Sequence, residues 1–234
     1  MKPNLKQIAK KIKDKNLREK VLNLIEDPTI CIGDNTYHGL PLGASPASKR
    51  QHHSYRAGLA QHTASSSRIA LTLCDVAENI YNAEVDRDVA LAAVIAHDMM
   101  KPLTYKLIDE GYYDSSPLGE KMDHLTLIVS KLIEKGFPLE VVHAVAAHHG
   151  DNGPMSPRTV EALICFLSDY ADAALNGEVL KAAKSLVEQC AGERVEHLNA
   201  EEAFTIVNAK QRDGCDGVKR VFEKMKHREN IETS

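Results

Sequence analysis

Histidines and aspartates stand where the helical periodicity of this chain demands apolar side chains. The run Ala93-Val94-Ile95-Ala96 reads as a buried helix face, and it meets His97 and Asp98 at once. Leu59, His62, Ser66, Ile69, Leu73, Val76 and Ile80 keep the 3/4 spacing of an amphipathic helix, with His62 on the apolar stripe. Asp98 shares a face with Leu91, Val94 and Ile95, and Asp169 lies in line with Ala162, Cys165, Phe166 and Ala173. His148 follows Val141, Ala144 and Val145; His149 follows Val142, Val145 and Ala146. His124 adjoins the stripe of Leu125, Ile128 and Leu132. One such residue is ordinarily a core histidine or aspartate satisfied by a hydrogen bond or ion pair. The joint pattern is different, because burying unpaired carboxylates is costly and several polar groups at depth need a shared compensating charge. A divalent cation supplies it, with imidazole and carboxylate as its ordinary ligands. The pattern predicts His62, His97, Asp98, His124, His148, His149 and Asp169 as ligands of a buried metal centre. His38, His143, His197 and His227 are read as ordinary surface or core histidines.

Composition narrows the partners. The chain has 234 residues, 43% hydrophobic and 26% charged, enough for a sizeable core. A net charge of -4 gives no pull toward nucleic acid or anionic membrane, and 5% aromatic content without Trp argues against a base-stacking surface. Nucleic acid is therefore an unfavoured partner. Cys31, Cys74, Cys165, Cys190 and Cys215 are odd in number and lack a C-x-x-C pair, which predicts reduced thiols. The opening MKPNLKQIAKKIKDKNL has no apolar segment of signal-peptide type, and no apolar run is long enough to span a bilayer. A cytoplasmic protein without membrane attachment is expected.

The periodicity predicts an all-α fold. One or two amphipathic helices cover 4–26, and 27–55 reads as a long irregular connection. Helices follow over 59–80, over 87–99 (stopped by Pro102), over 118–135 and over 138–149, the last two capped by Gly136 and Gly150. A further helix over 158–176 ends at Gly177, with more around 178–191, 199–210 and 215–228. Residues 100–116 read as a loop carrying Tyr105, Tyr112 and Tyr113, and no strand alternation is evident. Residues 1–49 are expected to pack on a metal-binding core of 50–177, with 178–234 as helices of the same domain.

The order H…HD…H…HH…D resembles the HD-domain phosphohydrolase superfamily, and local strings strengthen the likeness. "HHSYRAGLAQHT" is similar to the H-H-x-Y-x-x-G-L-x-x-H-T string of some members, and "AHDMMKP" resembles HD-x-x-K. "AAHHG" and "LSDYADA" stand where the later ligands belong. The resemblance covers about residues 50–175. It implies a helical bundle around a dinuclear centre, with His62, His97, Asp98 and Asp169 on one metal, His124, His148 and His149 on the other, and Asp98 bridging. Nitrogen-rich ligation suits Fe(II) or Mn(II), with Zn, Co or Ni compatible, and does not suit Mg.

The implied activity is phosphodiester hydrolysis, with a small cyclic or nucleotide-like phosphate as partner. Two cations would lower the pKa of a shared water and neutralise charge at phosphorus. Asp98 and Lys101 are the expected catalytic residues, Lys101 as phosphate clamp or proton donor. His53, Arg56 and Arg50 precede the first ligand and are expected to bind substrate, and Tyr105 would stack on a planar ring. The alternatives are a 3'-5' exoribonuclease, a nucleotide phosphatase, an oxygenase, or a non-enzymatic metal-stabilised binding module. No G-x-x-x-x-G-K-[ST] loop for ATP is present. An oligomer formed through the terminal helices is compatible with the sequence.

Overall fold

A wholly buried helix forms the centre of the molecule. In the computed structural model, which describes residues 4–109 and 111–232, α4 (Arg87–Ala96) buries every residue from Val89 to Ala96. Asp86 caps it, its side chain accepting from the N–H groups of Asp88 and Val89. Around α4 pack α2 (Lys15–Glu26), α3 (Gly58–Tyr81), α7 (Leu139–Ala146) and α8 (Val160–Ala191), with α1 (Leu5–Ala9) against its side. The short α5 (Lys101–Thr104) follows α4, and α6 (His124–Glu134) lies against α7. This main core includes Ala70 and Cys74 of α3, Val89 to Ala96 of α4, and Leu127, Ile128 and Leu132 of α6. A second apolar cluster forms where α9 (Ala200–Glu232) folds back along α8. Leu180, Ala183 and Val187 meet Ala203, Ile206, Val218 and Phe222 there, and Tyr55 joins them.

The helical class holds, and several boundaries differ. Two short antiparallel ribbons occur where irregular chain was expected: β1 (Ile30–Ile32) with β2 (Asn35–Tyr37), and β3 (Tyr105–Asp109) with β4 (Tyr112–Ser115). Each touches the interior through few residues, Ile30 with Tyr37 in the first and Tyr113 in the second. Lys106 to Asp109 are all exposed, so no alternation of hydrophobicity marks the strand. Gly177 does not end a helix. α8 runs unbroken through it, since an interior glycine costs only about 1 kcal/mol against alanine. Pro102 does not stop α4 either; it sits in the first turn of α5, where a missing N–H is harmless. α6 begins at His124 rather than near 118. α7 ends at Ala146, which places His148 and His149 in the turn beyond it. Gly214 (φ 64°, ψ -151°) kinks α9 between the two helices expected there.

The reduced state expected for all five cysteines is also corrected. Cys190 and Cys215 form a disulfide, Cα–Cα 5.0 Å, linking the end of α8 to α9 just past the kink. Cys31, Cys74 and Cys165 are free, the latter two buried as small core residues.

Ile128 is fully buried and Ile80 is 71% exposed. Ile128→Ala is expected to lower unfolding stability by about 2–5 kcal/mol, and Ile80→Ala by less than about 0.5 kcal/mol. Urea titrations of the two variants check this; equal losses would contradict the assignment of α6 to the core.

Candidate metal centre

Three histidines of the site are held by the same kind of hydrogen bond. His97 follows the last residue of α4, and its Nδ1 lies 2.7 Å from the Val94 carbonyl. His148 follows α7, and its Nδ1 lies 2.7 Å from the Val145 carbonyl. A carbonyl only accepts, so Nδ1 carries the proton in both rings and Nε2 is left with a free lone pair. Each bond also satisfies one of the carbonyls that a helix end leaves orphaned. His62, one turn into α3, places Nδ1 2.7 Å from Asp172 Oδ2, which fixes the same tautomer. In all three cases Nε2 points to the interior of the site.

Those nitrogens converge with two aspartates. His62 Nε2 and His97 Nε2 are 3.3 Å apart, and Asp169 Oδ1 lies 3.0 Å from the first and 3.6 Å from the second. His124, His148 and His149 form a neighbouring group, their nitrogens within 4.8 Å of one another. Asp98 stands between the groups. Its Oδ2 is 3.5 Å from His62 Nε2 and 3.3 Å from His97 Nε2; its Oδ1 is 3.4 Å from His124 Nε2 and 3.9 Å from His148 Nε2. All seven residues named from the sequence come together.

The donors fit divalent cations. His62, His97, Asp98 and His148 are at most 1% exposed. Asp98 Oδ2 has the Lys101 ammonium at 2.6 Å, while among the described residues Asp98 Oδ1 and the Nε2 atoms of His124 and His148 have no hydrogen-bond partner. Buried polar atoms left this way are costly unless a bound species satisfies them. Ligands about 2.1 Å from one ion lie roughly 3.0–3.5 Å from each other, the spacing seen at His62, His97, Asp98 and Asp169. A third grouping, His52–His53–His62, has similar spacing. There His62 already commits Nδ1 to Asp172 and Nε2 to the inner cluster, so it has no atom left for a separate ion.

Protonation follows the same division. Burial drives His148 far below its ordinary value and His124 to about 4, so both imidazoles are neutral and available as ligands. Burial opposes ionisation of Asp98, but the charges of His97 and Lys101 hold it well below the usual carboxylate range. Burial also opposes the Lys101 ammonium, and Asp98 Oδ2 at 2.6 Å keeps it charged.

The residues expected around the metals are placed unevenly. Lys101 is buried against Asp98, and Tyr105 is half-buried within the electrostatic reach of both. His53 is only 2% exposed and lies behind His62. Its backbone N–H donates to Asn176 Oδ1 at 2.6 Å, and its Nε2 is 3.5 Å from Asp172 Oδ2. Arg50 and Arg56 are exposed, Arg56 near Tyr113. Sequence reasoning missed two residues. His52 has its ring 5.0 Å from that of His62, in the field of Lys101, Asp98 and Asp169, with Nδ1 buried and unpartnered. Asp172 orients His62 and also accepts from Ser65 Oγ. Asp172 was legible as a second aspartate one helical turn after Asp169. His52 sits in a loop and had only its place beside His53 to mark it.

Comparisons with known proteins agree with this arrangement. Residues 59–174 match the HD domain family. The chain is 34% identical over 208 residues to the dihydroneopterin 2',3'-cyclic phosphate phosphodiesterase of Methanocaldococcus jannaschii, covering 89% of this chain and 83% of that one. It is 32% identical over 152 residues to the 3'-5' exoribonuclease YhaM of Listeria innocua, covering 59% of this chain and 46% of that one. For YhaM of Bacillus subtilis the identity is 28% over 144 residues, covering 56% and 43%. No solved structure matches. Two convergent histidine groups joined through an HD pair, within a match that takes in all seven residues, place the chain in the HD domain family of metal-dependent phosphohydrolases.

Proposed function

We propose that this protein hydrolyses a small cyclic phosphodiester, specifically 7,8-dihydroneopterin 2',3'-cyclic phosphate, at a dinuclear metal centre. The observation that carries the reading is the division of Asp98, one oxygen facing each histidine group. His62, His97 and Asp169 would hold one ion and His124, His148 and His149 the other, with Asp98 facing both groups. The substrate follows from the relative that matches along most of both chains. Nitrogen-rich donors favour Fe(II) or Mn(II). Divalent ions bound there would acidify water and neutralise charge on the phosphoryl oxygens.

The protein's own groups do the rest. Asp98, with Lys101 as its one ammonium partner, places negative charge between the two groups. Lys101 keeps its proton because of Asp98 and sits where it meets a phosphate oxygen or the departing alkoxide. His52, with its unpartnered Nδ1, is the imidazole that reaches a phosphate oxygen. His53 supports His62 through Asp172 rather than touching substrate. Opening a five-membered cyclic phosphate adds water across one P–O bond: the oxygen joins phosphorus and a proton goes to the released alkoxide.

The exoribonuclease reading is weaker. The chain spans less than half the length of the YhaM proteins, and its net charge of -4 supplies no broad attraction for RNA. Purified protein should open the cyclic pterin phosphate at least tenfold faster than it degrades poly(A); the reverse order would select the ribonuclease.

Asp98→Ala is expected to lose metal and diesterase activity together, read by elemental analysis and product assay. Activity that survives the substitution rules out the bridged centre. Lys101→Met should retain metal and lower kcat by roughly 100-fold, in line with loss of one charge-stabilising donor.

Metal-free protein should weaken as pH falls from about 6.5 toward 4. Burial holds His52 at about 4, His53 at about 3 and His124 at about 4 when folded, while the unfolded chain protonates them near 6.5. The unfolded state therefore binds more protons in this window and is favoured by acid. Without metal, His97 is pulled up to about 10 and His62 is raised as well by Asp98, Asp169 and, for His62, Asp172, despite burial, so both are largely protonated in both states below about 6.5 and add little slope there. The urea midpoint at pH 4.5 should lie below that at pH 6.5; an unchanged midpoint would contradict the burial of these rings.

A further inference from the structure

We infer that the cleft between the β3–β4 ribbon and the C-terminal helices holds the heterocyclic end of the substrate. The inference rests on the phosphodiesterase reading and names the part of the protein that selects the molecule attached to the phosphate. The cleft has a volume of about 610 Å³, within the range that encloses a small organic ligand.

The ribbon and the Lys49–Arg50 segment that wall it both lead back toward the metal centre. Tyr105, beside Lys101, pairs across the ribbon with Ser115, and Lys49 donates to Ser115 Oγ at 3.0 Å. Tyr113 lies two residues farther along β4, a rise of about 7 Å. The facing wall includes Arg50, on the same segment that delivers His52 to His62. A phosphate at the metals and a ring in the cleft are thus connected by a short span.

The outer end joins the ribbon to Glu196 and His197, which lie beyond the HD match. Tyr112 donates to Glu196, and its ring stands edge-on to His197 at 4.1 Å between centroids. Gly111 (φ 79°) lies so close that a Cβ there would come within 3.3 Å of the His197 ring. The ribbon is therefore seated on the C-terminal segment and bounds the cleft at that end. A single bicyclic ring fits this space better than a running polynucleotide.

The lining has the chemistry for such a ring. Tyr113, 7% exposed, donates its hydroxyl to the Ala44 carbonyl at 2.9 Å, which fixes the phenol so that only a margin of its ring borders the cleft. Lys49 and Asp114 on the lining face each other at 3.9 Å, while among the described residues exposed Arg50 and half-buried Lys184 have no carboxylate in contact; Lys184 lies near the His197 ring, which burial and that ammonium keep neutral. A planar guanidinium donates side by side to a ring carbonyl and its neighbouring nitrogen, as a pterin presents them. Glu196 is engaged by Tyr112, so it does not repel an electron-rich ring.

Lys184→Ala and Tyr112→Ala test the assignment, each checked by circular dichroism and replaced by Lys184→Gln or Tyr112→Phe if it misfolds. Two substrates are compared: the cyclic phosphate of dihydroneopterin, and glycerol 1,2-cyclic phosphate, which has the same five-membered phosphate and no heterocycle. The expected result is a tenfold or greater fall in the ratio of kcat/KM for the first over the second, mostly through KM. Equal losses on both substrates, or no loss, overturn the assignment. Calorimetric titration of metal-free protein with neopterin, which has no phosphate, gives the second arm. Saturable binding, weakened at least tenfold by either variant, supports the cleft, and absence of binding to wild type refutes it. If wild-type protein opens neither cyclic phosphate, the hydrolase reading fails while the neopterin titration still decides the cleft.

Discussion

One buried carboxylate dictates the arrangement of the rest. Asp98 follows α4, which is buried from Val89 onward, and is itself 1% exposed, with Oδ1 unpartnered among the described residues and Oδ2 met by Lys101 at 2.6 Å. Such a group is tolerated only where positive charge reaches it from several sides. Lys101 supplies one contact, and imidazoles from α3, α6 and the turns after α4 and α7 surround the rest. The bundle brings four separate stretches of backbone to one point because that point cannot be left uncompensated.

The backbone does much of the aiming. His97 and His148 use helix-terminal carbonyls three residues back, a device that needs no other side chain. His62 lies within a helix, where its own turn offers no free carbonyl, and Asp172 takes that part. The same requirement, a fixed tautomer with Nε2 inward, is met by whichever acceptor the local geometry provides.

The candidate metal ligands were legible because polar groups on apolar stripes contradict the helical period. That conflict marks His62, His97, Asp98 and Asp169 without any knowledge of three-dimensional structure. His52 escaped because a loop has no period to violate. Asp172 escaped because Asp169, one turn earlier, already filled the pattern. The ribbons were missed because two-stranded elements that bury only Ile30 and Tyr113 leave no alternation to read. Gly177 and Pro102 were misread as breaks because local propensity is a weak prior, overridden when tertiary packing supports a continuous helix or when a proline falls in a first turn. The pairing of Cys190 with Cys215 depends on the reversal of the chain between α8 and α9, which no spacing rule anticipates.

Helix α8 is one uninterrupted rod of 32 residues. Asp169 stands near its beginning and Lys184 some four turns later, so the ion-binding end and the cleft wall share a single stiff axle. A side chain pressed at one end cannot move without tilting the other. Mechanical linkage of this kind lets occupancy of the distal wall be felt at Asp169 with no intervening loop to absorb the displacement.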